Sequence, residues 1–199
     1  MRQVLSAVLL GLPLASVGNA YAHPHVWVDA ITTFVFDDSR RVVEIRHLWR
    51  FDEFFGSFVR EEFDQDRNGR FDGGEIARVR ADGFQALEEF GYFTTVRVDG
   101  VVMPIEEVTS FAARLDDGIL IYEFSLALPE PVDPAARDLV VGVYDPSYYV
   151  EVLLDEHDPV RFDGLPSGAC IFDVFEDADH PIYYGMVYPR VIGLTCATS

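Results

Sequence analysis

The sequence VWVDAITTFVF at residues 26–36, followed by DDSR at residues 37–40 and VVEIRHLW at residues 42–49, decides the fold. The two longer segments are rich in β-branched and aromatic residues, which favour strands, and the polar segment between them is typical of a turn. We therefore predict two strands that pair as an antiparallel hairpin.

From Phe51 onward the apolar residues change from strand spacing to helical spacing. Aromatic residues with charges between them predict a short amphipathic helix that begins beside Asp52, and they are Phe54, Phe55, Phe58 and Phe63. A second helix is predicted from Ile76 to Gly91, because apolar residues again recur at helical spacing.

Strand patterns return after Gly91 and are separated by turn residues such as Asp99-Gly100. The predicted strands cover 92–98, 101–105, 107–114, 119–128, 139–144 and 148–154, and the rest of the chain is predicted to be irregular. The predicted fold class is therefore α+β, with one domain over residues 23–199. In it, an antiparallel β-sheet carries an EF-hand-like helix–loop–helix inserted after the first hairpin.

Residues 64–75 have the sequence DQDRNGRFDGGE, which matches the EF-hand calcium loop at every ligand position. Calcium binds six to eight oxygens, and this spacing places oxygens around a tight coil. The predicted ligands are Asp64, Asp66, Asn68, the backbone carbonyl of Arg70, Asp72 through a water, and both oxygens of Glu75. Gly69 permits the positive φ at the turn, and Phe71 is the apolar anchor.

The alternative interpretation of this loop is an acidic turn that matches the pattern by chance. EF-hand sensors come in pairs, and the sequence contains no second loop of this kind. The unpaired loop predicts a structural or modest-affinity calcium site instead of a switch, and we expect calcium to hold the helices in place.

The first 22 residues have the pattern of a secretory signal peptide. Arg2 is followed by an apolar run from Val4 to Val17, and residues 20–22 form a small-x-small cleavage site. Cleavage after Ala20 is the alternative. The run is too short to span a bilayer, so we predict a periplasmic or secreted protein with no membrane insertion after cleavage.

The charge of the chain is strongly acidic, with a formal net charge of −19 at pH 7. Such a surface repels nucleic acid, whose binding depends on phosphate contacts from Lys and Arg. It attracts divalent cations, although solubility alone is a sufficient reason for it. The two cysteines, Cys170 and Cys196, are predicted to form a disulfide in an oxidising export compartment, since the tail offers too few soft ligands for a thiolate metal site.

Histidines mark a second candidate metal site. Cleavage after residue 22 would begin the chain with His23, whose amine and ring nitrogen can chelate zinc, nickel, cobalt or copper together with His25. Asp29 shares a strand face with His25, and the hairpin could bring that face beside His47. The alternative is that His47 is an ordinary core histidine.

The sequence contains no nucleophile motif, no metalloprotease motif, no P-loop and no dinucleotide fingerprint. We therefore predict that the protein is not an enzyme. A copper oxidase that uses His23 is a third hypothesis, but no substrate platform is recognisable.

Several segments together resemble a known family, and they are residues 23–30, 49–52, 143–149, 158–160, 168–170 and the acidic loop. The chain is similar to a family of uncharacterised bacterial periplasmic proteins with a domain of unknown function, often labelled the periplasmic component of an ABC-type transport system. The resemblance implies an association with nickel/cobalt-type permeases and hence transition-metal handling. The aromatic segment after Cys170 departs from the family pattern.

Two functions from different classes follow from these observations. The first is an exported calcium-binding accessory protein of transition-metal transport, with a membrane metal permease as its partner. The second is a calcium-stabilised protein-interaction module with purely structural histidines. Stoichiometric transition metal in the purified protein would distinguish the first from the second.

Overall fold

Two β-sheets form most of the structure, a computed structural model that describes residues 24–197. The predicted signal peptide at residues 1–22 and the predicted ligand His23 lie outside the described residues. The first hairpin is confirmed, because β1 (Val26–Phe36) pairs antiparallel with β2 (Val42–Phe51). Its even-numbered residues from Val26 to Ala30 are buried and the odd-numbered ones between them are exposed, as the period of a strand requires.

The first sheet has six strands in the order β5-β6-β2-β1-β8, with β9 pairing with the far end of β1. Its remaining strands are β5 (Glu107–Asp116), β6 (Ile119–Val132), β8 (Val150–Leu154) and β9 (Val160–Asp163). Both β8 and β9 run parallel to β1, while the other pairs are antiparallel.

The second sheet has five antiparallel strands in the order β10-β11-β7-β3-β4. Its strands are β3 (Thr94–Val98), β4 (Val101–Met103), β7 (Leu139–Val143), β10 (Cys170–Glu176) and β11 (Arg190–Cys196). The buried residues of both sheets belong to one apolar cluster, so the sheets share a core. The predicted disulfide is confirmed, since Cys170 and Cys196 are bonded and lie opposite each other in β10 and β11.

Helical structure lies between β2 and β3. It comprises α1 (Glu53–Phe63), α2 (Gly73–Arg78), a π-helical segment (Val79–Phe84) and a 3-10 segment (Gln85–Phe93), and a 3-10 turn (Tyr183–Gly185) lies near the C-terminus. The second predicted helix is therefore present in irregular form, and it ends where Phe90, Gly91 and Tyr92 leave helical geometry. None of the helices within residues 24–197 is both long enough and apolar enough to cross a membrane.

The structure corrects the predicted fold in two respects. The single antiparallel sheet is wrong, because there are two sheets and one of them is mixed. The irregular region after Leu154 is also wrong, because β9, β10 and β11 lie there. In both cases the missing information is non-local, since β8 and β9 pair with a strand more than a hundred residues earlier in the chain.

Candidate metal centre

The first helix is anchored to the sheet at its beginning. Asp52 is the N-cap of α1, and its Oδ1 accepts a hydrogen bond of 2.9 Å from the backbone N–H of Phe55. Its Oδ2 accepts a second bond of 2.9 Å from the backbone N–H of Trp27 in β1. One carboxylate therefore caps the helix and fixes its start relative to the hairpin.

The chain turns sharply after α1 because Asp64 binds the backbone ahead of it. Oδ1 of Asp64 accepts from the N–H of Asn68 at 3.0 Å, and Oδ2 accepts from the N–H of Gly69 at 2.9 Å. Gly69 has a φ of +78°, which L side chains rarely adopt and glycine adopts without strain. The loop is thus coiled around the Asp64 carboxylate.

The second helix begins with a capping box that closes the loop. Oδ1 of Asp72 accepts from the N–H groups of Gly74 and Glu75, and Oε2 of Glu75 accepts from the N–H of Asp72 at 3.0 Å. Oε1 of Glu75 accepts from the N–H of Gln65 at 2.7 Å. The Glu75 carboxylate therefore links the two ends of the loop.

These turns bring three carboxylates together. Asp64, Asp66 and Glu75 each offer an oxygen, and the three oxygens lie within 4.8 Å of one another. Asp64 and Glu75 are each only 6% exposed, while Asp66 faces solvent. Within residues 24–197, these are the only three His, Cys, Asp or Glu side chains that meet at such distances.

The cluster has the electrostatics of a cation site. None of the ion pairs formed within residues 24–197 involves its three carboxylates, so no cationic side chain is in direct contact to offset their mutual repulsion. Each carboxylate accepts two N–H hydrogen bonds, which use about half of its four lone-pair positions. Oxygen ligands and concentrated negative charge suit a hard divalent cation.

Of the other predicted loop ligands, Asn68 contacts this cluster through Asp66, while Asp72 caps α2 and is not part of the three-carboxylate group. Asn68 is exposed, its Nδ2 donates to Asp66 at 2.8 Å, and its Oδ1 accepts from the N–H of Arg70 at 2.8 Å. The side chain of Arg70 is exposed, as expected for a residue that would contribute only its carbonyl. Phe71 is half-buried and packs against the core, which ties the loop to the domain.

His47 lies in a different environment, between the two sheets. The residue is 1% exposed, and its Nδ1 lies 3.3 Å from Oγ1 of Thr32. Its Nε2 lies 3.1 Å from Oγ1 of Thr94, whose hydroxyl donates to the carbonyl of Tyr92. Because the Thr94 hydroxyl proton is used in this way, Nε2–H of His47 donates to Thr94 and Nδ1 accepts from Thr32. Burial lowers the pKa of His47 to about 3, so the ring is neutral at pH 7.

The proposed grouping of His47 with His25 and Asp29 is therefore wrong. Thr32 pairs with His47 across the hairpin, while Asp29 pairs with Arg50, and residues paired in this way share a face of the sheet. His25 and Asp29 thus lie on the exposed face and His47 on the buried one. Both ring nitrogens of His47 are already hydrogen-bonded, so the interpretation as a core histidine is confirmed.

His25 is exposed at the start of the described chain, and its ring centroid lies 4.7 Å from that of Tyr149. The terminal chelate that would join it to His23 stays a prediction, because His23 is outside the described residues. His25 therefore remains the one predicted nitrogen ligand that the structure places at the surface.

An apolar groove that the sequence patterns do not predict lies beside the loop. We call it the helix groove; it has a volume of about 610 Å3, its walls include Phe58, Leu87 and Phe90, and its floor includes Trp49 and Tyr122. The available signal was the excess of aromatic residues in α1, because Phe54, Phe55 and Phe58 are too many for one narrow buried stripe.

Comparison with known proteins identifies a family. The sequence profile of the family described as "Protein of unknown function (DUF1007)" matches residues 8–183. The chain belongs to this family. It is also similar to an uncharacterized 15.5 kDa protein in the trpE 3' region of Spirochaeta aurantia, with 25% identity over 138 residues, which cover 69% of this chain and 98% of that protein.

Proposed function

We propose that this member of the DUF1007 family is an exported calcium-binding accessory protein associated with transition-metal transport or handling. The observation that carries the calcium assignment is the convergence of Asp64, Asp66 and Glu75, whose oxygens lie within 4.8 Å of one another. They occupy the first, third and twelfth positions of a loop that has the EF-hand pattern. The disulfide between Cys170 and Cys196 supports export, since such bonds persist in oxidising compartments.

The proposed ligand set satisfies calcium with oxygen alone. It comprises side-chain oxygens of Asp64, Asp66 and Asn68, the carbonyl of Arg70, Asp72 through a water, and both oxygens of Glu75. A bound divalent ion would offset the repulsion among the three carboxylates and would stabilise the turn between α1 and α2. Calcium here is a structural ion, because the loop joins two helices whose positions it sets.

Calorimetric titration of calcium into Glu75→Gln tests this assignment. The single amide oxygen of the glutamine can still accept the capping-box bond from Asp72, so α2 is preserved, but the variant loses the charge, the second oxygen that accepts from Gln65, and the bidentate ligand. We expect affinity to fall about 100-fold, which corresponds to ~2.7 kcal/mol.

The matched control for this titration is Glu62→Gln. Glu62 is an exposed acid in the last turn of α1, just before the loop, and it lies outside the cluster. We expect this variant to bind calcium within about twofold of the parent. Equal affinity of Glu75→Gln and the parent would contradict the calcium assignment.

The transition-metal part of the proposal rests on the exposed His25, which follows the predicted terminal His23 by two positions in the sequence. A chelate of the His23 amine and ring with His25 requires a free amine at that position. Adding one Gly before His23 in the processed protein should therefore weaken zinc or copper binding strongly while both imidazoles remain. Unchanged affinity would contradict the terminal chelate.

A second function is favoured by the helix groove, and it is a calcium-stabilised protein-interaction module without a transition-metal role. The groove lies between helical segments on both sides of the proposed calcium loop, and large apolar side chains line it. Metal analysis by mass spectrometry of protein purified from its export compartment separates the two functions. Nearly stoichiometric zinc, nickel, cobalt or copper supports the first, and calcium alone supports the second.

A further inference from the structure

Large aromatic side chains that line the helix groove are exposed to solvent. Phe58 on α1 is 61% exposed, Phe90 is 48% exposed and Tyr149 is 50% exposed, and all three line the groove. Contiguous apolar surface of this kind marks an interaction site more often than scattered exposed residues do.

The walls of the helix groove come from the two sides of the loop. Phe58 belongs to α1, which precedes the loop, while Leu87 and Phe90 belong to the 3-10 segment that follows it. Between them Trp49 and Tyr122 form a floor on the first sheet. A groove bordered by helical segments on two sides is the kind of apolar site that receives the apolar face of an amphipathic helix.

The charge around the helix groove favours a partner of positive charge. Glu62 and Asp82 line it and are exposed, and no Lys, Arg or His is among the described residues that line it. The whole chain carries a formal net charge of −19. Fatty acids, anionic lipid surfaces and a second copy of this acidic chain would all be repelled, while cationic groups would be attracted.

We propose that the helix groove binds a cationic amphipathic helix of a partner protein. The apolar face of that helix contacts Phe58, Leu87 and Phe90, and its Lys or Arg residues lie beside Glu62 and Asp82. This proposal deepens the second function above, since it names the partner class of the interaction module.

The probe is a synthetic Leu/Lys peptide of about 18 residues in which leucines recur at positions i, i+3, i+4 and i+7. An isomer of the same composition, in which leucines and lysines alternate, has the same charge but lacks a helical apolar face. We expect the helical peptide to bind the full chain with one-to-one stoichiometry in calcium-containing buffer, and the isomer to bind at least about tenfold more weakly.

Two variants place the binding in the helix groove. Phe58→Ser removes a wall residue, and Gly83→Leu adds a side chain whose Cβ would lie 3.9 Å from the Tyr122 hydroxyl, so it fills space without a clash at that atom. Each should weaken peptide binding about tenfold. Phe54→Ser is the matched control, because Phe54 is on the same helix, is 83% exposed and does not line the groove.

The outcomes separate this proposal from the calcium assignment. Parent-like binding by both Phe58→Ser and Gly83→Leu, or equal binding of the helical peptide and its isomer, overturns the groove proposal. Thermal unfolding of each variant establishes that it is folded before titration. Calcium affinity is measured without peptide in Glu75→Gln, so failure of either proposal is recognised independently of the other.

Discussion

The loop at residues 64–75 and the buried layer around His47 both contain residue types that bind metal ions. The two regions differ in how many of the ligand atoms are already used in hydrogen bonds. Both nitrogens of His47 are hydrogen-bonded to threonine hydroxyls, and its ring packs against Phe124 at a centroid distance of 5.1 Å. The carboxylates of Asp64 and Glu75 each accept two N–H groups, so about half of the acceptor positions on each carboxylate remain.

This difference shows that burial alone does not decide whether a residue can bind an ion. Glu75 is 6% exposed and His47 is 1% exposed, so both are buried. An imidazole has two ring nitrogens and His47 has used both, whereas a carboxylate has about four acceptor positions. The loop is therefore open to a cation, and the layer around His47 is closed to one.

The largest expected effect is a loss of folding stability in acid, and it comes from the buried His47. The unfolded chain protonates His47 as the pH falls below about 6.5, but the folded chain keeps a pKa of about 3 for this residue. Unfolding therefore takes up a proton between these values, and stability falls as the pH is lowered through that window. The loss is on the order of 5 kcal/mol when complete, and urea unfolding at a series of pH values in the presence of a calcium chelator measures it.

The matched variants for this titration are His47→Gln and His157→Gln. The first should flatten the dependence of stability on pH between about 6.5 and 4.5, because no buried imidazole remains to resist protonation. The second removes an exposed histidine and should leave the slope as it is. Equal slopes in the parent and His47→Gln would show that the layer around His47 is not closed to protons.

Removal of the disulfide between Cys170 and Cys196 should cause the next largest loss of stability, and this loss is a reference for the effects in the other two regions. Replacing both Cys170 and Cys196 with Ala frees a loop of 26 residues, and the chain-entropy model gives a loss of about 3 kcal/mol. Urea unfolding measures this loss, and reductant should destabilise the parent but leave the double variant unchanged. A difference below about 0.5 kcal/mol would mean that strand pairing between β10 and β11 already supplies the constraint.

Sequence was sufficient for features whose information is local. The hairpin, the start of α1 at Asp52 and the coil of residues 64–75 each depend on neighbouring residues, and the structure contains all three. The strand β10 was missed because it is mostly exposed, with Ile171, Phe172 and Phe175 all at the surface. Its pattern therefore lacks the alternation of a half-buried strand.

The pairing of faces in the first hairpin could not be predicted from the pattern within one strand. The apolar residues Val28 and Ala30 predict that the even-numbered positions of β1 are buried, and Ile45 and Trp49 predict the same for odd-numbered positions of β2. Matching these two apolar faces would have placed His47 with Thr32 instead of Asp29. The register that joins them depends on the turn and on the bulge near Val35, which periodicity within one strand does not contain.

Calcium binding to the loop at residues 64–75 should stabilise the folded protein by somewhat less than the disulfide does. A ligand that binds only the folded state at 100 times its dissociation constant adds about 2.7 kcal/mol. We expect this gain in urea unfolding of the parent and expect it to be nearly absent in Glu75→Gln. Magnesium should give less, because it demands a smaller octahedral site. An equal gain in Glu75→Gln would indicate that calcium binds elsewhere on the acidic surface.

The smallest expected effects come from removing one hydrogen-bonding side chain in each region, with the stability of both variants compared in the absence of calcium. Thr32→Val keeps the shape of the side chain but leaves Nδ1 of the buried His47 without its donor, which should cost about 1–2 kcal/mol. Asn68→Ala removes contacts to Asp66 and Arg70 at an exposed position, where water replaces them, so its cost should be below about 0.5 kcal/mol. Urea unfolding in a chelator measures both losses. The order matters more than either value, because only a closed region has no water to replace a lost partner. If Asn68→Ala costs as much as Thr32→Val, the empty loop is itself a rigid part of the fold, and the contrast between an open and a closed region would not hold.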